Sequence, residues 1–287
     1  MNEVAPWSVD VTAPAKLNLT LRVLGTRPDG FHELEALTVT VTAPADTLHV
    51  ASAPGSDVTL TVVGGGPDVP HGADNLVVRA ARAVLPAGAG LTVSLTKVTP
   101  AGAGLGGGSA DAAAVLRVLR ARYDLDAGAV LAAAADLGSD VPICVDGTPV
   151  IMRGRGEVLD PVELAGDVHV VIATPGFAVP TPAVFRAWDE LDGSDRARVL
   201  PAPAAVEGLV AELVNDLEPA AELVEPRLTA FRGALARVAG GEPLLAGSGS
   251  SYWLPVADAE TAAFVAARVR DALSVQTFAG RVVRGTP

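Results

Sequence analysis

The sequence predicts an α+β chain of two domains, and three observations carry that reading. Its first third alternates apolar and polar residues as strands do. Its middle passes from a glycine-rich loop into helical periodicity, and its last third runs strand, helix, strand after a change of register near residue 166. A length of 287 residues suits two ordinary domains, drawn here at 1–166 and 167–287.

From Val11 to Val23, the residues Val11, Ala13, Ala15, Leu17, Leu19, Leu21 and Val23 alternate with polar ones. One strand is therefore expected, with Lys16, Asn18, Thr20 and Arg22 on its opposite face. Pro28-Asp29-Gly30 reads as a turn, and Leu37–Val41 and Thr59–Val63 as further strands. After the linker Gly64-Gly65-Gly66-Pro67, a helix is expected from about Asn75 to Leu85 with Leu76, Ala80, Ala83 and Val84 inward, then a strand over Leu91–Val98. The run Pro100-Ala101-Gly102-Ala103-Gly104-Leu105-Gly106-Gly107-Gly108-Ser109-Ala110-Asp111 leads into a helix reaching about Arg122. Ala112, Val115, Leu116 and Leu119 give that helix one apolar stripe, and its arginines cluster at the C-terminal end, where cations complement the dipole. Asp126 caps a second helix that ends at Leu137, with Gly138 as a left-handed stop.

Beyond residue 166, Val168–Ala173 is a short apolar strand and helical segments extend to about residue 238. Leu244–Pro255 encloses Gly247-Ser248-Gly249-Ser250-Ser251. Asp258 caps a helix to Leu273, striped by Ala262, Val265, Val269 and Leu273, and a last strand covers about Val275–Val283.

Composition excludes several function classes. Apolar residues make up 49%, enough to bury a core without metal or disulfide staples. A net charge of −12 and no run of Lys or Arg argue against nucleic acid or an anionic membrane as partner. One cysteine, Cys144, excludes an internal disulfide framework, and the four histidines lack metal-ligand spacing. The first residues, Met-Asn-Glu-Val-Ala-Pro-Trp, carry no basic and apolar leader pattern, and Val168–Phe185 is cut by four prolines and glycines, so a cytoplasmic protein is expected.

Of the 21 basic residues only Lys16 and Lys97 are lysine. The arginine excess suggests coding pressure; the two lysines stand apart because a compact ammonium is not replaceable by guanidinium in every role.

Gly102-Ala103-Gly104-Leu105-Gly106-Gly107 formally matches G-x-G-x-x-G, and Asp124 and Asp126 lie near where a dinucleotide fold needs an acid. The meandering strands before it do not look like the start of such a fold. The Walker pattern fails too, because Gly108 stands where its lysine belongs. What remains is a loop with five glycines in residues 102–108 feeding a helix N-terminus at Ser109, an arrangement that cradles phosphate without a side-chain cation. Asp111 complements the dipole there, or stands behind a Mg²⁺ ion beside a triphosphate.

Several motifs follow one another in order: P-A-K-L-N-L-T-L from Pro14, P-D-G-F-H-E-L from Pro28, D-N-L-V-V-R-A-A-R from Asp74, P-A-G-A-G-L-G-G-G-S-A-D-A-A from Pro100, L-G-S-D-V-P from Leu137 and L-A-G-S-G-S-S from Leu245. Together they resemble the 4-diphosphocytidyl-2-C-methyl-D-erythritol kinase family of the GHMP kinase superfamily. The glycine loop alone indicates the superfamily; the P-A-K-L-N and D-G-F-H-E-L pair points to the family. The resemblance implies a two-domain fold, with ATP at the glycine loop and the acceptor between the domains. The reaction it implies is phosphorylation of a tertiary hydroxyl of a CDP-linked methylerythritol, on the non-mevalonate route to isoprenoids.

On that resemblance Lys16 and Asp140 are the expected catalytic pair, with Asp140 as base. Pro100 through Ala110, with Asn75 and Lys97, are expected to bind ATP with Mg²⁺; no protein metal ligand is assigned. Asn18, Phe31, His32, Thr181 and Phe185 are expected around the acceptor, Phe31 standing where the family usually has tyrosine. Small molecules are the expected partners, for a monomer or homodimer. A homoserine- or mevalonate-type kinase, a catalytically silent ligand-binding relative and a dehydrogenase are the alternatives.

Overall fold

The computed structural model describes residues 5–66, 69–191, 199–201 and 212–284, so Pro67 of the expected linker and part of the helical stretch before residue 238 lie outside the described residues. The described chain falls into two compact units, each assembled from separate stretches. The first takes Met1–Ala15, Ala45–Ala101 and Gly106–Asp146; the second takes Lys16–Pro44, Gly102–Leu105 and Gly147–Pro287. Packing thus groups interleaved segments, where the sequence reading draws one boundary near residue 166.

The elements run in order β1 (Ser8–Asn18), β2 (Arg22–Thr26), β3 (His32–Ala53), β4 (Val58–Gly64), α1 (Leu76–Val84), β5 (Gly90–Lys97), α2 (Gly107–Tyr123), α3 (Ala127–Leu137) and α4 (Val141–Asp146). They continue with β6 (Val150–Gly154), β7 (Val158–Pro161), β8 (His169–Thr174), α5 (Thr181–Glu190), β9 (Val199–Pro201), β10 (Glu212–Val214), α6 (Glu218–Val224) and α7 (Arg227–Ala239). Last come β11 (Leu244–Leu245), β12 (Tyr252–Val256), α8 (Ala259–Leu273) and β13 (Gln276–Val283).

In the first unit, residues 47–53 of β3 pair antiparallel with β5, and β4 pairs parallel with β5, from Val58↔Leu91 to Gly64↔Lys97. A parallel neighbour needs a crossover, which α1 supplies. Helices α1 to α4 pack on one another. Leu91, Val93 and Leu95 turn one face of β5 into the core, and the same period of two sends Lys97 inward after them. That position dictates the electrostatics described below.

In the second unit the strand order β11-β12-β8-β13-β3 is antiparallel throughout, with β2 and β6 pairing on the first half of β3 and β7 on β6. The short strands β9 and β10 pair separately. Helix α8 lies on β8 and β13, and Tyr252 and Trp253 of β12 are fully buried.

Several expected details are corrected. Val11–Val23 is two strands, broken at Leu19-Thr20-Leu21, where Leu19 and Leu21 donate out of strand register to Leu37 and Val214. The face carrying Lys16, Asn18 and Thr20 is buried; only Arg22 of that set is exposed. Helix α1 buries Val77, Val78, Ala80 and Ala81, a face one residue away from most of the expected stripe, as it packs on α2, α3 and β4. Gly138 is extended at φ 161°, not left-handed, whereas Asp126 and Asp258 cap as expected by accepting from Ala129 N and Thr261 N.

Candidate active site

Six segments of the second unit converge around one ammonium. Lys16 is 6% exposed, and its Nζ donates to Asn18 Oδ1 at 2.8 Å. Asn18 Nδ2 donates in turn to Thr38 Oγ1 at 2.8 Å. An ammonium only donates, so this chain fixes the amide with its oxygen towards Lys16. Thr38 was not singled out from sequence, yet it alternates with Leu37 and Val39 on β3 and is fully buried, a polar side chain at a core position.

The glycine loop closes over this chain. Leu105 O accepts from Lys16 N at 3.0 Å, and Ala103 O accepts from Ser251 N at 3.1 Å. Between them Gly104 has φ +79°, and a Cβ there would lie 1.9 Å from Ala246 O. Gly247 has φ +57°, and its Cβ would come within 3.3 Å of Lys16 Nζ and 3.6 Å of Asn18 Oδ1. Bare backbone at Gly247 therefore lies beside the ammonium, and Gly104 lets the two glycine-rich segments pack closely against each other. Asn215, which sequence reading missed, holds the second of them by donating Nδ2 to Leu245 O and Gly247 O, both at 2.7 Å. Its distance in sequence left no local signal. Thr181 Oγ1 meets Ser248 Oγ at 2.7 Å, which ties the start of α5 to the same segment.

An aromatic wall stands elsewhere in the second unit. The His32 ring stacks on Phe185 at 4.7 Å between centroids and meets the edge of Trp188 at 5.5 Å. The His32 and Phe185 rings thus lie face to face. Phe31 is half exposed, with the Arg155 guanidinium 3.6 Å above one face of its ring.

The first unit holds the rest of the expected residues. Gly106 is the left-handed N-cap of α2, so the helix begins at Gly107, two residues before the expected Ser109. Gly107 is pressed against Thr99 and Lys97 Nζ, while Gly108 has only Leu76 Cδ1, at 3.6 Å, near a notional Cβ. Asp140 is half-buried in the turn between α3 and α4. Lys16 and Asp140 belong to different units.

Asn75 and Lys97, expected beside the adenosine, have local work. Asn75 accepts from Val77 N and donates to Pro70 O, which caps α1 and ties down the preceding loop. Lys97 Nζ donates to Asp46 Oδ2 at 2.5 Å and to Asp111 Oδ2 at 2.8 Å, and Asp46 Oδ1 accepts from Val98 N and Thr99 N. All three charged side chains are buried. Asp46 lies 51 residues from Lys97, so this cluster too gave no local signal.

Lys97→Met would leave two buried carboxylates without their ammonium. It is expected to cost about 3–5 kcal/mol, read as a lower urea midpoint.

Burial raises the Asp111 carboxyl to about 7 against the opposing pull of Lys97, with Asp46 adding to the rise. Between its ordinary value of 3.8 and 7, the folded chain holds this proton more tightly than the unfolded one. Stability from this group is thus full below 3.8 and is lost as pH rises towards 7. Asp111→Asn should remove that loss, so the variant should gain on the wild type between pH 5 and pH 8 in urea unfolding. An unchanged difference between the two would contradict it.

The glycine loop, the capped helix after it and the layered α+β units define the class. Residues 75–148 match the GHMP kinases N terminal domain. At the level of fold alone, a homoserine kinase structure from Cytophaga hutchinsonii superposes with TM-score 0.68 at 22% identity, over 97% of this chain and 95% of that one. A crystal structure of 4-(cytidine 5'-diphospho)-2C-methyl-D-erythritol kinase superposes with TM-score 0.79 at 35% identity, covering 97% of this chain and all of the other. A 4-diphosphocytidyl-2-C-methyl-D-erythritol kinase of Methylorubrum extorquens is 41% identical over 91% of this chain and 94% of its own length. One from Pelotomaculum thermopropionicum is 36% identical over 91% and 94%. The chain belongs to the 4-diphosphocytidyl-2-C-methyl-D-erythritol kinase family.

Proposed function

We propose that this chain transfers the γ-phosphoryl group of ATP to the 2-hydroxyl of 4-diphosphocytidyl-2-C-methyl-D-erythritol, a step of non-mevalonate isoprenoid precursor synthesis. The observation that carries the reading is 41% identity to a kinase of that name over 91% of the chain. Likeness to homoserine and mevalonate kinase structures at 22% and 13% identity concerns the fold and favours neither alternative.

Phosphoryl transfer asks a protein for positioning and charge more than for covalent chemistry. In our reading Asp140 accepts the proton of the attacking hydroxyl, and Lys16 stabilises the Asp140 carboxylate and the negative charge growing on the acceptor oxygen. Support for Lys16 comes from the Asn18–Thr38 chain, which holds the ammonium where a mobile lysine would lose entropy on ordering. Asn18 then orients the polyol, while Phe31, His32 and Phe185 recognise the cytosine and Thr181 adds a hydroxyl near the same ligand.

The N-terminus of α2 and the bare backbone of residues 106–108 fit the phosphates of ATP, with Pro100–Ala110 as the binding segment. Asn75 and Lys97 contribute by fixing the walls of that site. Among the described residues no group of three or more His, Cys, Asp or Glu is placed to hold a metal. Mg²⁺ is therefore proposed to enter with the triphosphate, where it would neutralise phosphate charge.

No helix among the described residues is long and apolar enough to cross a membrane. We place the chain in the cytoplasm, as a monomer or homodimer acting on small molecules and not on nucleic acid. The segments 1–166 and 167–287 are proposed as its ATP-binding and C-terminal domains.

ADP release with Mg-ATP should be seen with the cytidylyl acceptor and not with homoserine, mevalonate or no acceptor. Turnover with homoserine or mevalonate alone would overturn the reading.

A further inference from the structure

We infer that Asp189 is a positioning residue for the acceptor's nucleobase, acting through His32 and through the turn that carries Phe31; this rests on the roles proposed above for those two residues. Asp189 sits on α5 one turn after Phe185 and next to Trp188. Its Oδ1 lies 2.8 Å from His32 Nε2. A carboxylate only accepts, so Nε2 carries the hydrogen and Nδ1 is the nitrogen left to face a ligand. The ring is then held by a stacked plane from Phe185, an edge contact with Trp188 and a hydrogen bond to Asp189, all three residues lying within about one turn of one helix. Only 10% of the His32 side chain remains exposed.

The same Oδ1 accepts from Thr26 Oγ1 at 3.2 Å. Thr26 and His32 are cross-strand partners in the β2–β3 pairing. One carboxylate oxygen therefore spans both strands at the point where the hairpin opens into its turn. Within that turn Arg27 N donates to Phe31 O at 2.7 Å, and Phe31 N donates to Asp29 Oδ1 at 3.1 Å. The turn that presents Phe31 is thus rooted on α5 through Asp189.

A purely structural role predicts something different. The Asp189 side chain is 42% exposed, and ion pairs that open to solvent add little to stability. Losing it should leave the fold nearly as stable while freeing the imidazole to turn and the hairpin end to shift. Recognition should suffer and stability should not, a separation that a mere surface link does not give.

The test uses the full chain with Asp189→Ala and Asp189→Asn. Long-range proton–nitrogen spectra of the ligand-free wild type should show His32 protonated at Nε2. Asp189→Ala should weaken binding of cytidine diphosphate about tenfold by calorimetry and raise the acceptor KM by a similar factor. It should leave kcat within about twofold, the KM for ATP unchanged and Tm within about 2 °C. Asp189→Asn, whose amide oxygen still accepts from Nε2, should recover most of the affinity. The inference is overturned if His32 is unprotonated at Nε2, if cytidine diphosphate binds Asp189→Ala as it binds wild type, or if both KM values rise together with a fall in Tm. A wild-type chain that binds no cytidine diphosphate overturns the functional reading and this inference with it, whereas normal binding by both forms overturns this inference alone.

Discussion

Asp140→Asn is expected to lower kcat by about two to four orders of magnitude, with both KM values changed only a few-fold. Asparagine keeps the size of the side chain and one oxygen acceptor, and loses both the negative charge and the ability to take the proton. Asp140 occupies a short turn closed by Val141 N donating to Gly138 O at 3.1 Å, a backbone contact the substitution leaves alone. Circular dichroism and a urea midpoint, measured on the same protein, separate a loss of catalysis from a loss of folding. Lys16→Met should give a kcat loss of the same order by removing the charge. Because Asn18 Oδ1 then loses its donor in a buried site, it should also cost about 1–3 kcal/mol of stability. Steady-state ADP release from folded Asp140→Asn and Lys16→Met at wild-type rates would sink the proposed pair.

Gly104→Ala should be the most damaging substitution in the glycine loop, at a cost of at least about 3 kcal/mol. Two effects add. A φ of +79° is costly for any residue with a Cβ, and that Cβ would overlap Ala246 O at 1.9 Å. The obstacle is backbone, and the loop cannot slide away because Ala103 O and Leu105 O on either side hold Ser251 N and Lys16 N. Gly108→Ala makes the contrast. Its nearest neighbour, at 3.6 Å, is ordinary contact, and alanine is the better helix former by about 1 kcal/mol. Its stability should hold or rise. The KM for ATP should nonetheless increase, because a methyl would intrude where the backbone is proposed to meet phosphate. Equal urea midpoints for the two variants would contradict the account of Gly104, and an unchanged KM in Gly108→Ala would contradict that of the phosphate cradle.

Local chemistry was legible in the sequence and long-range pairing was not. Asp126 and Asp258 show as caps because the residues they satisfy lie three positions on. Lys16 and Asn18 share a face by simple alternation, and the structure joins them at 2.8 Å. The alternation hid whether that face is wet: Lys16 and Asn18 are buried, with Gly247, far away in sequence, lying against both. Strand β3 reads as five residues because Pro44 and the small residues around it interrupt the apolar pattern, yet it runs for 22 because β5, β6 and β13 pair along it. Lys97 carried a signal that could have been used. It follows Leu91, Val93 and Leu95 on the same face of its strand, so a buried ammonium in need of carboxylates was implied, though nothing local pointed to Asp46.

The central claim is which hydroxyl receives the phosphoryl group, and proton-coupled phosphorus NMR of the product tests it most directly. Carbon 2 of the acceptor is quaternary and bears no hydrogen, so its phosphomonoester has no proton three bonds from phosphorus. Incubation with Mg-ATP and 4-diphosphocytidyl-2-C-methyl-D-erythritol should yield ADP and one new phosphomonoester resonance, unsplit by protons. A new resonance split by its own carbinol protons would place the phosphate on another hydroxyl, and no new resonance from protein shown to bind ATP would contradict the assignment altogether.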